Sequence, residues 1–116
     1  MRRPLILTLA VLAAIAALAL AGALQAAPAA KTLKGVVGPG FTISMSAKSV
    51  KAGTYTITIS DKAAIHNFHL TGPGVNKATG VGFMGTVTWT VKLKKGTYRY
   101  QCDPHSSTIK GTLKVT

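Results

Sequence analysis

Gly96-Thr-Tyr-Arg-Tyr-Gln-Cys-Asp-Pro-His105 is the stretch on which the fold of this 116-residue chain turns. Tyr98, Tyr100 and Cys102 alternate with Thr97, Arg99 and Gln101, the period of two that marks a half-buried strand. The alternation puts the only cysteine at the end of that strand, on the face that carries the tyrosines. Pro104 has no N–H to give to a ladder, so pairing stops there and the chain bends. His105 then lies on a tight loop three residues past the thiol. A thiolate and an imidazole held that close are donors suited to copper or zinc. Two donors do not complete a site, and the flanking sequence has to supply more.

Upstream, Thr86-Val-Thr-Trp-Thr-Val-Lys-Leu93 alternates in the same way, with Val87, Trp89, Val91 and Leu93 inward, and Lys94-Lys-Gly96 turns it into the quoted strand. Downstream, Gly111-Thr-Leu-Lys-Val115 closes the domain and buries Leu113 and Val115. Thr54-Tyr-Thr-Ile-Thr-Ile-Ser60 sets Tyr55, Ile57 and Ile59 against a face of threonines. Phe41-Thr-Ile-Ser-Met45 is expected to be the first clear strand, with Phe41, Ile43 and Met45 inward. His66-Asn-Phe-His-Leu70 is expected to be a strand with His66, Phe68 and Leu70 on one face and Asn67 and His69 on the other. Thr71 to Asn76 is rich in breakers, and the chain to Gly85 reads as a long loop with a short segment at Val81–Met84. Trp89, Tyr98 and Tyr100 read as core, Tyr100 with a hydrogen bond at a strand corner. No stretch after the N-terminal region keeps a helical repeat. Short strands between Gly/Pro turns predict an all-β fold, an antiparallel Greek-key β-sandwich.

The N-terminus decides what counts as the domain. Met1-Arg-Arg-Pro4 is basic, Leu5 to Leu20 is apolar apart from Thr8, and Ala21-Gly-Ala23 and Ala27-Pro-Ala29 both fit a small-residue cleavage pattern. Residues 1–26 therefore read as a secretory signal peptide cut near residues 23–29. If retained, the segment is just long enough to anchor the protein in a bilayer. Residues 27–40 read as a leader and first turn, and 41–116 as the domain. The expected location is periplasmic or extracellular.

The chain has 14 Lys and Arg, two acids (Asp61 and Asp103) and a formal charge of +12, which falls to +10 without Arg2 and Arg3. Such a surface repels its own copies and favours a monomer that meets acidic redox partners, anionic membranes or cell-wall polymers. Nucleic acid is disfavoured by the export signal and by the scattering of the lysines. Two acids offer no carboxylate pair and no convincing triad, so the chain does not read as an enzyme. A lone cysteine in an oxidising compartment is buried and inert, bridged to another molecule, or bound to a metal.

All three histidines and the cysteine fall between positions 66 and 105. His66 shares its face with Phe68 and Leu70, which favours it over His69 as a donor. A core-facing histidine is costly to bury without a partner, and a metal would satisfy it. With Cys102 and His105 it makes the trigonal His₂Cys set of blue-copper sites. These segments, Ile65-His-Asn-Phe68 and Gly96–His105 followed by Lys110-Gly-Thr-Leu113, resemble the two ligand loops of the cupredoxins, in particular small bacterial plastocyanin-like and amicyanin-like domains. The resemblance implies a one-electron carrier that cycles copper between Cu(II) and Cu(I), with His66, Cys102 and His105 as ligands. It also implies that Asn67 is the amide that ties the ligand loops together. One position departs from the family pattern: Ile109 stands where a methionine is usual, and isoleucine cannot coordinate. Met45 and Met84 are the other thioethers after the signal segment. Copper storage or delivery, or a metal-free interaction domain, are the alternative functions.

Overall fold

The computed structural model describes residues 30–116, so the signal segment lies outside the described residues. Nine strands fill the described chain: β1 (Lys31–Val37), β2 (Ile43–Met45), β3 (Ser49–Val50), β4 (Gly53–Asp61), β5 (His69–Gly72), β6 (Val75–Ala78), β7 (Gly85–Leu93), β8 (Gly96–Gln101) and β9 (Lys110–Val115). They form two sheets, in the orders β2-β1-β4-β7 and β3-β9-β8-β5-β6. The expected β-sandwich is present, but not every pairing is antiparallel: β1 runs parallel to β4, and β3 parallel to β9.

The alternating residues of β4, β7, β8 and β9 point where their period places them. Tyr55, Ile57, Ile59, Val91, Leu93, Tyr98, Tyr100, Leu113 and Val115 are all buried between the sheets. Four expectations differ from the structure. The segment read as leader and turn contains β1, whose inward face is Leu33, Gly35 and Val37. A glycine in the middle of that face hides the period. The breaker-rich run is a hairpin, with Pro73 and Gly74 turning β5 into β6 and only Val75 of β6 buried. Gly74 takes φ = 70°, which favours glycine. Finally, His66–Phe68 lies ahead of β5 and outside the ladder, and Phe41 lies ahead of β2 and is 64% exposed rather than inward.

The centre of the sandwich is an aromatic stack. Phe68 and Tyr100 lie 5.6 Å apart with their ring planes nearly parallel, at 9°. One glycine on each sheet makes room for them. A Cβ on Gly35 of β1 would sit 2.8 Å from the Phe68 ring, and one on Gly111 of β9 would sit 2.4 Å from the Tyr100 ring. The corner hydrogen bond belongs to Tyr98 rather than Tyr100: its hydroxyl donates to Pro73 O at 2.7 Å and accepts from Lys94 N at 2.9 Å. Gly111→Ala should therefore lower stability by about 1–3 kcal/mol through overpacking. Thermal unfolding of the two proteins measures this, and an unchanged midpoint would show that the stack can shift at no cost.

Candidate metal centre

Two segments far apart in the chain meet at one end of the sandwich. The first runs from the end of β4 to β5. His66 N donates to Ala63 O at 3.2 Å, which turns the chain, and the extended residues after it are held by Thr79. Phe68 N donates to Thr79 Oγ1 at 2.8 Å, Thr79 N donates to Phe68 O at 3.0 Å, and Asn67 Nδ2 donates to Thr79 O at 3.3 Å. The Thr79 hydroxyl in turn donates to Asp61 Oδ2 at 3.4 Å. Burial pushes the Asp61 carboxyl above its ordinary pKa, against the hydrogen bonds from Ala63 N and Thr79 and the charge of His66.

The second segment follows β8. Cys102 leads into a single 3₁₀ turn, Asp103–His105, with Pro104 inside it, where the missing N–H matters least. The loop closes on itself: Cys102 N donates to Ile109 O at 3.0 Å and Ile109 N donates to His105 O at 2.8 Å. Ile109 is buried. Of the other thioethers, Met84 is exposed and Met45 packs against the core.

The two segments bring three donors together. His66 Nδ1 lies 3.6 Å from Cys102 Sγ, His105 Nδ1 lies 3.5 Å from the same sulfur, and the two ring nitrogens are 3.2 Å apart. The nearest point equidistant from these three atoms lies about 2.0 Å from each, the length of an ordinary metal–nitrogen bond and ~0.3 Å short of a metal–sulfur bond. His66 and Cys102 are both 0% exposed, and His105 is half-buried. Nε2 of His66 is the one buried side-chain nitrogen or oxygen without a hydrogen-bond partner among the described residues. His66 Nδ1 faces only the Cys102 sulfur and the His105 ring nitrogen, so a metal bound through Nδ1 would leave the ring proton on Nε2 and give this buried ring a strong partner on its other nitrogen. On these observations the site fits a metal ion.

Two residues outside the donor set shape it. Asn67 Oδ1 accepts from Asp103 N at 2.7 Å, and Asn67 Nδ2 donates to Asp103 Oδ2 at 2.8 Å. Asn67 thus ties the two segments side by side. Phe41 stands edge-on to both histidines, its ring centroid 5.1 Å from that of His66 and 5.0 Å from that of His105. His69 is not in the donor cluster; it is hydrogen-bonded to Asp103 and Asn76. Thr79 and Phe41 were not singled out as site residues from the sequence. A lone threonine in a loop carries no pattern, and Phe41 looked like the start of a strand.

A trigonal set of two imidazoles and one thiolate on a β-sandwich defines the blue-copper class, the cupredoxins. Residues 30–116 match the family of copper binding proteins, plastocyanin/azurin family, and this chain belongs to it. Copper is therefore the metal of this fold, and His66, Cys102 and His105 are positioned to form its site. Among solved structures, reduced rusticyanin is similar over 77% of this chain and 82% of its own, at 24% identity and a TM-score of 0.56. Dithionite-reduced auracyanin from the photosynthetic bacterium Roseiflexus castenholzii is similar over 77% of this chain and 99% of its own, at 20% identity and a TM-score of 0.55. These likenesses concern the fold. No curated protein sequence gives a significant match.

Thr79→Val keeps the volume but removes the hydroxyl, leaving Phe68 N without an acceptor. The expected loss is about 1–3 kcal/mol, the penalty for an unsatisfied buried donor. Chemical denaturation of the copper-free protein checks it, and a loss within ±0.5 kcal/mol would mean that another acceptor replaces the hydroxyl.

Proposed function

We propose that this chain is an exported type 1 copper protein that carries one electron, with His66, Cys102 and His105 as the ligands and Asn67 as the tie between their segments. The observation that carries this reading is the closed triangle of donor atoms, 3.2–3.6 Å on a side. Bound copper would supply the one-electron couple between Cu(II) and Cu(I). The protein's part is to hold the donors nearly still. His66 is fixed by the Thr79 hub on its neighbours, Cys102 by its bond to Ile109, and His105 by three backbone bonds within the loop. Donors fixed in this way reorganise little when the charge on the site changes, which is what a carrier requires. The half-buried His105, next to the exposed ring of Phe41, is the edge through which an electron would pass. No proton donor or nucleophile beyond these groups is needed, and the reading is of a carrier rather than an enzyme.

The basic surface supports an anionic partner. Twelve Lys and Arg remain after Arg2 and Arg3 are set aside, and both acids are spent internally. Asp61 is only 2% exposed, and Asp103 is hydrogen-bonded to Gln101, Asn67 and His69. A monomer that meets an acidic redox protein, or works beside an anionic membrane or wall, fits that charge. The apolar run from Leu5 to Leu20 supports export, with retention of that run as the route to a membrane anchor.

Adding Cu(II) to the copper-free protein should produce an intense visible thiolate-to-copper band, and Cys102→Ser should abolish it. A coloured serine variant, or a colourless wild type, would defeat the reading.

Ile109 is the second check. Isoleucine offers no donor in the position where the family pattern has a thioether, and its apolar bulk disfavours the higher charge of Cu(II). Ile109→Met should lower the reduction potential by roughly tens of millivolts, where ~59 mV is a tenfold change for one electron. Voltammetry on both proteins reads this, and an unchanged or higher potential would place Ile109 away from the copper.

A further inference from the structure

His69 is the histidine that the metal site leaves over, and its surroundings are not those of an idle surface residue. Nδ1 donates to Asp103 at 2.9 Å (Oδ1) and 3.1 Å (Oδ2), and Nε2 donates to Asn76 Oδ1 at 2.7 Å. Both ring nitrogens face acceptors, an arrangement that the doubly protonated ring satisfies and the neutral ring does not. The carboxylate that His69 holds is the one bonded to Asn67. Asp103 accepts from Gln101 Nε2 at 2.9 Å and from Asn67 Nδ2 at 2.8 Å, while its own N–H reaches Asn67 Oδ1 at 2.7 Å. Asn67 follows ligand His66, and Asp103 follows ligand Cys102. A chain of charged and amide groups thus runs from β6 through His69 to the junction of the two ligand segments.

We propose that His69 is a positioning residue for the metal centre: through Asp103 and Asn67 it locks the His66 segment to the Cys102–His105 loop, and it does so before copper is present. The consequence for copper rests on the carrier reading above; the lock itself does not. Its reason is the geometry of a carboxylate. Asp103 on a 3₁₀ turn, half-exposed to water, could rotate freely. A cation bridging both of its oxygens leaves it one orientation, the one that meets Asn67 Nδ2. The electrostatics agree. Partial burial opposes a charge on His69, but the hydrogen bonds to Asn76 and Asp103 and the Asp103 charge outweigh it and raise its pKa. The other charged side chains on the flanking strands are Lys77 on β6 and Arg99 on β8, cations that work against protonation of His69. Arg99 is turned to Gln101 Oε1 and Ser106 O.

The test uses the full domain, first without copper. The His69 ring, followed by NMR, should titrate above ~6.5 and fall toward that ordinary value in Asp103→Asn. In His69→Leu the Asn67 side-chain amide should exchange several-fold faster with solvent. Normal His69 titration, or unchanged Asn67 exchange, overturns the lock whether or not the protein takes up copper. With copper loaded, His69→Leu should release it to a chelator about tenfold faster, as for other partners of ligand-bearing groups. His69→Gln keeps an N–H for Asp103 and should recover most of the slow release. It lacks the charge, however, so its reduction potential should lie below the wild type at low pH, because the carboxylate beside Cys102 is no longer neutralised. That gap should close as pH rises through the His69 pKa, where the wild type loses the same charge. Equal release from His69→Leu and wild type, or a potential gap that ignores pH, would reduce His69 to an ordinary surface ion pair. Failure of the wild type to bind copper would defeat the carrier reading, and the copper-free titration and exchange would still decide the lock.

Discussion

The structure of the site depends on one pair of hydrogen bonds, those between the Asn67 side chain and the backbone and side chain of Asp103. His66 and Cys102 are 36 residues apart, and closing a loop of that size has an entropic cost that the contact must offset. The sheets do part of that work by pairing β5 with β8, which sets His69 opposite Gln101. Yet His66 lies three residues before β5 and Asp103 two residues after β8, beyond the ladder's reach. Without Asn67 each segment would be held only from its own side, the first by Thr79 and the second by its own backbone bonds, and nothing at the rim would set one against the other. An amide suits this position because it donates and accepts at once, satisfying an N–H on one side and a carboxylate on the other.

Packing beneath the site follows from the same arrangement. Phe68 continues the His66-Asn67 segment into the core, where it stacks on Tyr100 two residues before Cys102. Each ligand strand therefore carries an aromatic ring a short step below its ligand, and the two rings face one another. Gly35 and Gly111 admit the stack from opposite sheets, which explains a glycine in the middle of β1. Any shift of one segment against the other would slide stacked rings past each other in a filled interior, where voids and overlaps are both costly. The amide tie fixes the segments at the rim, and the stack fixes them in the core.

Much of this was legible in the sequence. Strands β4, β7, β8 and β9 alternate cleanly because each has one face in the core and one in water, so the sandwich followed from period alone. The ligand set was legible because thiol, imidazole and proline are chemically conspicuous at that spacing. Elements whose inward positions are held by something other than a large apolar side chain were hidden. Gly35 concealed β1, the lone Val75 concealed β6, and the outward turn of Phe41 depended on a tertiary neighbour, the pair of histidine rings. Thr79 was invisible for a related reason. Its role is a set of hydrogen bonds to backbone atoms, which no side-chain pattern records.

The distribution of charge links the site to the surface. The chain has fourteen Lys and Arg and only two acids, and both acids accept hydrogen bonds. It places one acid under the His66 segment and the other on the ligand loop, each within a network of donors. Both acidic side chains thus lie beside the ligand segments, Asp61 buried and Asp103 half-exposed, where negative charge favours a bound cation. The two kinds of charge act on different steps: the carboxylates bear on the energy of the metal, and the exterior lysines on encounters with a partner. Salt would screen the lysines and the half-exposed Asp103 more than the buried Asp61.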